Sequence, residues 1–298
     1  MYKIKEVRNN SKEITCIEIE NPKKSSYAKI YLKLGASLQE LKLKGQTVIE
    51  DLHPLTYNNT YTSSILFPFA NRIKDGAYSF DGNSFKFEIN EKGNNNALHG
   101  LVFNKTFQII AQETSEDFAS VKLLYIEENE SLGFPYTYSI QVEYTLKVDA
   151  LDINVLVTNT DTKTFPFTIG WHPYFSCSDL FKSTVNFDSN KQITFDERGI
   201  TNGSMDINNE SGFEVKDKQL DDCFILNSGK TQFNTPDYSL LINASSKENF
   251  LQIYTPLRTN TIAIEPTTGV SDSFNNKIGL QTLKPNETYN VTWNVKLL

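Results

Sequence analysis

A proton-moving side chain set among flat rings is the feature of this chain best suited to chemistry. Thr168-Ile169-Gly170-Trp171-His172-Pro173-Tyr174-Phe175 places a histidine between a tryptophan and a proline, with two more aromatics directly behind. Histidine exchanges protons near neutral pH, and amphipathic rings can cover the C–H face of a sugar. Trp171 is therefore a candidate to bind a sugar beside His172. The proline biases the histidine backbone towards an extended conformation, which limits its drift. A plain reading stands beside this one, with Trp171, Tyr174 and Phe175 as core and His172 as a satisfied buried histidine.

Four more points carry ionisable groups in suggestive places. An apolar run from Ser64 to Ala70 ends abruptly in Asn71-Arg72, so the arginine backbone is pinned, although a surface arginine at a strand end would look the same. Asn94-Asn95-Asn96-Ala97-Leu98-His99-Gly100 is a polar loop that delivers a histidine next to a glycine, and glycine permits close backbone approach or an unusual turn. Leu220-Asp221-Asp222-Cys223-Phe224 sets two carboxylates at the mouth of an apolar strand, where alternation points them to opposite faces. Thr261 to Ile264 is strand-like and runs into Glu265-Pro266. His53 also precedes a proline, so that arrangement alone does not mark a site.

The elements that must position these groups read as strands almost throughout. Lys3 to Val7, Glu13 to Ile19 and Ala28 to Leu34 alternate with period two, and Gly35 breaks the pattern. Asp81-Gly82 punctuates a hairpin before Ser84 to Ile89 alternates again. The clearest antiparallel hairpin runs from Tyr138 to Val148, turns at Asp149-Ala150 and returns through Leu151 to Val157. Lys191 to Phe195, Leu251 to Tyr254 and Tyr289 to Leu297 are further strands, whereas Glu127 to Glu130 reads as a solvated face. No amphipathic helix of ten or more residues, linker or short-period repeat interrupts the chain. The expected fold is all-β, with residues 1–298 forming one large antiparallel β-sandwich domain.

Composition narrows the function. The chain has 298 residues, 39% of them hydrophobic and 12% aromatic, enough for a substantial core. A formal charge of -7 with no basic stripe argues against a nucleic-acid partner. Cys16, Cys177 and Cys223 are far apart and form no CxxC pair, which points to neither a zinc cluster nor a disulfide framework. Met1-Tyr2-Lys3-Ile4-Lys5 lacks the apolar core of a signal peptide, and no run is long enough to span a bilayer. A soluble cytoplasmic protein with no membrane partner, a monomer or homodimer, is expected.

Taken together, these words resemble those of the aldose 1-epimerase (galactose mutarotase) family. Asn71-Arg72-Ile73 is followed by Gly76 and Gly82, then Ala97-Leu98-His99-Gly100, His172-Pro173-Tyr174-Phe175, Asp221 before Phe224, and Ile264-Glu265-Pro266. Each word is weak alone; five in the family's order are specific. The chain departs from typical members in being somewhat shorter, in Leu101 after the Leu-His-Gly word and in Ser176-Cys177 after the Tyr-Phe pair, so it resembles a shorter branch.

The resemblance implies a galactose mutarotase-like supersandwich with an open cleft, a small sugar as substrate and no cofactor or metal. It implies interconversion of the α and β anomers of an aldohexose. Glu265 would act as general base on the C1 hydroxyl and His172 as general acid on the ring oxygen, with His99 assisting. Asn71, Arg72 and Asp221 would hold sugar hydroxyls. Elementary chemistry agrees, because ring opening removes a proton from O1 while adding one to O5, and each positioned group can contribute roughly 10²–10⁴-fold. A glutamate and a histidine divide that work if the base is deprotonated and the acid protonated. The alternatives are a glycoside hydrolase or lyase with Asp221 and Glu265 as paired carboxylates, and a non-catalytic sugar-binding protein. A metal site on His99, His172 and Glu265 lacks supporting spacing. The scarcity of lysine and arginine near these words argues against a phosphorylated sugar.

Overall fold

Period-two alternation is written most plainly in the central hairpin, and a computed structural model describing residues 1–208 and 212–298 bears it out. In strand Tyr138–Lys147, every second residue from Tyr138 to Leu146 is buried. Strand Ala150–Asn159 buries Leu151, Ile153, Val155 and Val157 in the same way. The two pair antiparallel in unbroken register from Tyr138↔Asn159 to Leu146↔Leu151. A one-residue slip would turn every apolar side chain out to water, so the pattern fixes the register.

Among the described residues, fifteen strands form the larger sheet, and a five-stranded antiparallel meander over Lys3–Arg8, Ile14–Glu20, Tyr27–Tyr31, Ser37–Leu43 and Gln46–Ile49 forms a second. One continuous apolar cluster draws residues from both sheets, from Ile17 and Leu38 to Val142 and Trp293. This is the large antiparallel sandwich expected of the chain. Among the described residues helix is confined to single turns, Tyr57–Thr60, Leu180–Lys182 and Ser273–Asn276. No described helix is long and apolar enough to cross a membrane.

Three local expectations need correction. The strand expected through Leu34 ends at Tyr31, where residues 32–36 turn. The polar loop before His99 contains a short strand, Asn96–Leu98, that pairs with Arg72–Lys74. Glu127 is not part of a solvated face: it closes strand Phe118–Glu127 and is buried. Its carboxylate accepts hydrogen bonds from Lys105 Nζ (3.1 Å), Tyr125 OH (2.6 Å) and Ser131 Oγ (3.1 Å), as a buried charge requires.

One irregularity in the larger sheet shapes the site. Strand Thr261–Thr267 is buried along its whole length. On one side it pairs with Phe250–Tyr254. On the other its neighbour is broken, with Gly170 opposite Thr267 and Tyr174 opposite Ala263. His172-Pro173 fills the break, facing Glu265 and Ile264 across the same register. Pro173 and Pro266 cannot donate to a ladder, so pairing weakens at this level, although Ile264 N still donates to Pro173 O at 3.3 Å. The gap opens over Glu265.

Candidate active site

Strand register places the sheet-borne half of the site row by row. Residues directly opposite one another in a ladder share a face. Cys223 lies opposite Gln252, and Gln252 opposite Glu265; the register across the gap adds His172 to this row. Two residues along, on the same face, Asp221 lies opposite Tyr254, Tyr254 opposite Ala263, and Ala263 opposite Tyr174. Asp221, Gln252, Tyr254, Glu265, His172 and Tyr174 accordingly line one cleft of about 220 Å³.

The same alternation settles two points that the sequence left open. Asp221 faces the cleft, where its Oδ1 accepts a 2.6 Å hydrogen bond from Gln252 Nε2. Asp222 faces away and accepts from Gln192 Nε2, also at 2.6 Å. Trp171, next to His172 on an extended chain, also points away from the cleft. It is fully buried and stacks on Trp293 with ring centroids 6.2 Å apart and planes 21° apart. Expected to bind sugar, Trp171 is instead core, because residues adjacent in a strand face opposite sides. Phe175 is likewise buried, edge-on to Trp171, which leaves Tyr174, stacked on the His172 ring at 5.0 Å, as the cleft aromatic of that word.

The other half of the site is carried by loops. Leu98 pairs with Arg72, and His99 N donates to Asn71 O at 2.9 Å, so this short ladder delivers Asn71, Arg72 and His99 together. Asn71 and His99 both have left-handed backbones, with φ of 60° and 62°, an uncommon state for residues with a side chain. Gly100 follows at φ 74°, and a Cβ there would run into the carbonyl oxygen of Phe67. The glycine thus serves close backbone packing, which turns the histidine inward. His99 meets His172 edge-on at 5.0 Å and Tyr61 at 4.9 Å.

Arg72 is aimed by an acidic partner that sequence reasoning missed. Its Nε and Nη2 donate to Glu91 at 3.0 to 3.1 Å, and Nη1 donates to Asn71 Oδ1 at 3.2 Å. Burial pushes the Glu91 carboxyl up, but hydrogen bonds from Arg72 and Asn96 outweigh it and hold the group below the usual carboxylate range. Gly199 lets the guanidinium lie flat against the backbone, since a Cβ there would sit 2.8 Å from Nη1. Gln252 bridges the halves, donating to Asp221 and accepting from Asn71 Nδ2 at 3.3 Å.

At the centre, His172 Nε2 lies 3.4 Å from Glu265 Oε1, with both side chains nearly inaccessible. Burial pushes the Glu265 carboxyl well above its ordinary range, and nearby Asp221 adds to this while Arg72 opposes it. Burial pulls His172 down to about 4. His99 is pulled well below its ordinary value by burial first, then by the proximity of His172 and Arg72. The charge division expected from the sequence, carboxylate beside imidazolium, is therefore not the one burial favours; low polarity favours carboxyl beside neutral imidazole. Nδ1 of each histidine is buried without a hydrogen-bond partner among the described residues. No group of three or more His, Cys, Asp or Glu among those residues is arranged to hold a metal ion.

Gln252, Glu91, Tyr61 and Tyr254, with Asn59 and Thr60, are the lining residues that sequence reasoning did not single out. Gln252 and Tyr254 were within reach, because they alternate in a recognised strand beside the one bearing Glu265. Glu91 and Tyr61 had no comparable signal.

The molecule is thus an antiparallel supersandwich with a buried His–Glu pair in a polar cleft. The chain belongs to the aldose 1-epimerase family, whose model matches residues 15–296. Among curated relatives, the uncharacterized protein YihR of Escherichia coli is 24% identical over 281 residues, covering 90% of each chain. A galactose mutarotase-like protein from Clostridium acetobutylicum superposes with a TM-score of 0.88 at 23% identity, covering 99% of this chain and 98% of that one. Galactose 1-epimerase from Lactobacillus acidophilus superposes with a TM-score of 0.82 at 16% identity, covering 100% and 98%.

Proposed function

We propose that this cleft interconverts the α and β anomers of a neutral aldohexose by acid–base ring opening and closure. The observation that carries this reading is the His172–Glu265 pair, 3.4 Å apart at the sheet gap and facing one small polar cleft. The hemiacetal oxygens O1 and O5 are bonded to the same carbon, so an acid and a base acting on them must stand side by side. In the forward step the Glu265 carboxylate takes the O1 proton, the O–H electron pair forms the C1=O1 bond, and the C1–O5 bond breaks. O5 receives a proton from His172 Nε2. Rotation about C1–C2 and the reverse transfers close the ring with O1 on the other side.

After ring opening the carboxyl is protonated and the imidazole neutral, the arrangement that burial favours. The site is thus matched electrostatically to the open-chain sugar, and the cyclic sugar must draw the shared proton onto the histidine. His99, edge-on to His172, stands where it can donate to or accept from a ring substituent. Arg72, Asn71, Gln252 and Asp221 provide fixed partners for hydroxyls.

The charge balance supports an uncharged sugar. Arg72 is the only lysine or arginine among the described cleft residues and is already committed to Glu91, while Asp221 and Glu265 face the same space. A phosphate would enter beside carboxylates.

Polarimetry of freshly dissolved α-D-glucose and α-D-galactose, with a chelator present, tests the proposal. Faster approach to an unchanged final rotation is expected. Saturable sugar binding without acceleration would favour a non-catalytic sugar-binding protein, and release of reducing sugar from a glycoside would favour a hydrolase.

A further inference from the structure

Strands Thr184–Phe195 and Thr201–Asp206 pair antiparallel, and residues 196–200 turn between them. The turn is tied by its own first residue, because Asp196 Oδ1 accepts from Arg198 N at 2.9 Å and from Ile200 N at 3.0 Å. Ser271 Oγ donates to Gly199 O at 2.7 Å, which fastens the tip to the chain that follows the strand of Glu265. Arg198 therefore has a fixed backbone, one residue from the glycine on which the Arg72 guanidinium lies.

The Arg198 side chain gathers the segment that aims Arg72. Its Nε donates to Asn94 O at 2.8 Å. Its Nη2, with two protons, lies 2.8 Å from Asp75 Oδ1 and 3.0 Å from both Asn95 O and Asn96 Oδ1. Asn96 is fully buried. Its Nδ2 returns a 3.0 Å bond to Arg198 O and donates to Glu91 Oε2 at 2.8 Å. Glu91 in turn accepts from Nε and Nη2 of Arg72. Bonded on both sides by Arg198, the Asn96 amide has one orientation, with its NH₂ turned to Glu91. A planar guanidinium fork serves acceptors in several fixed directions at once, which a single ammonium cannot.

We propose that Arg198 is a positioning residue for Arg72: it holds Asn96, and through it Glu91, where the carboxylate aims the Arg72 guanidinium into the cleft. The proposal rests on the mutarotase reading above. Arg198 does not line the cleft, so its loss acts on sugar binding through Arg72 and leaves proton transfer between His172 and Glu265 in place.

The test is a double-mutant cycle on mutarotation of D-glucose and D-galactose, with the wild-type protein, Arg198→Ala, Arg72→Ala and the double variant. Arg198→Gln, which keeps a shorter donor, is run beside the alanine variant in case alanine loosens the turn. Each Arg198 variant should raise KM about fivefold with kcat within about twofold, and add less than about 1.5-fold to KM once Arg72 is alanine. An unchanged KM, a loss confined to kcat, or the same factor in both backgrounds would overturn the proposal, since a general loosening of the cleft does not depend on Arg72. Hydrogen exchange at Arg72 Nε, followed by ¹⁵N NMR and assigned by its loss in Arg72→Ala, needs no turnover. It should be about tenfold faster without Arg198, and an unchanged rate would overturn the proposal as well. No acceleration of either sugar by the wild type would overturn the mutarotase reading, and the exchange rate would then decide alone whether Arg198 positions Arg72.

Discussion

The two halves of the cleft are built by different means. On the sheet side, Asp221, Gln252, Tyr254, Glu265, His172 and Tyr174 are fixed by strand register, and each neighbour in sequence necessarily faces elsewhere. On the loop side, Asn71, Arg72 and His99 are fixed by left-handed backbones, a glycine pressed against Phe67, and a carboxylate that aims the arginine. Register is a cooperative property of many residues, whereas each loop placement rests on a few local contacts. The proposed proton-transfer pair thus sits on the sheet, while the proposed hydroxyl partners are divided, Asp221 and Gln252 on the sheet and Asn71 and Arg72 on the loop side.

The comparison is broken most severely at the pair itself. Glu265→Gln and His172→Asn should each lower kcat roughly 10²–10⁴-fold with an unchanged circular dichroism spectrum; wild-type turnover in either would remove its assigned role. On the loop side, Arg72→Ala should act mainly on KM, by roughly 10–100-fold. A loss confined to kcat would instead make Arg72 part of the proton-transfer machinery. Asp221→Asn and Asp222→Asn form a sharper pair, differing by one residue and one face of the sheet. The first should raise KM about tenfold and the second leave it within about twofold, and equal effects would contradict the register.

The smallest expected effect is an absence of change. The active pair holds one proton in total, so its pKa values belong to the pair. As pH falls through about 4, the His172 value, a second proton binds and kcat/KM falls. As pH rises through the elevated Glu265 value, the shared proton is lost and kcat/KM falls again. From about pH 5 up to the alkaline limb set by Glu265 the profile should vary by less than about twofold. A step near the ordinary histidine value that persists in Glu265→Gln would show that His172 is not desolvated as described.

The sheet half was largely legible in the sequence, and the loop half less so. Glu265 and His172 stand out because ionisable residues beside prolines interrupt apolar strands, and the structure places both prolines at the break in the ladder where the pair meets. Asp221 was open between two neighbours until register decided it. Trp171 misled because a cluster of aromatics reads as one surface, although alternation sends its members to opposite faces. Glu91 was hidden for another reason: its place depends on a short ladder between Arg72–Lys74 and Asn96–Leu98, too brief to leave a periodic signal. The turn bearing Tyr61 is one turn of helix, Tyr57–Thr60, again below what periodicity reveals.

The stacked pair behind the cleft also gives the protein a built-in optical probe. The chain has two tryptophans, Trp171 and Trp293, and both lie in a single dry stack. All indole emission therefore originates at one place, one residue along the backbone from His172. It should be blue-shifted, hold its wavelength when sugar fills the cleft, and move to the red when the sandwich opens. A titration that shifted the wavelength without unfolding would mean that sugar binding reaches through the sheet to its far face.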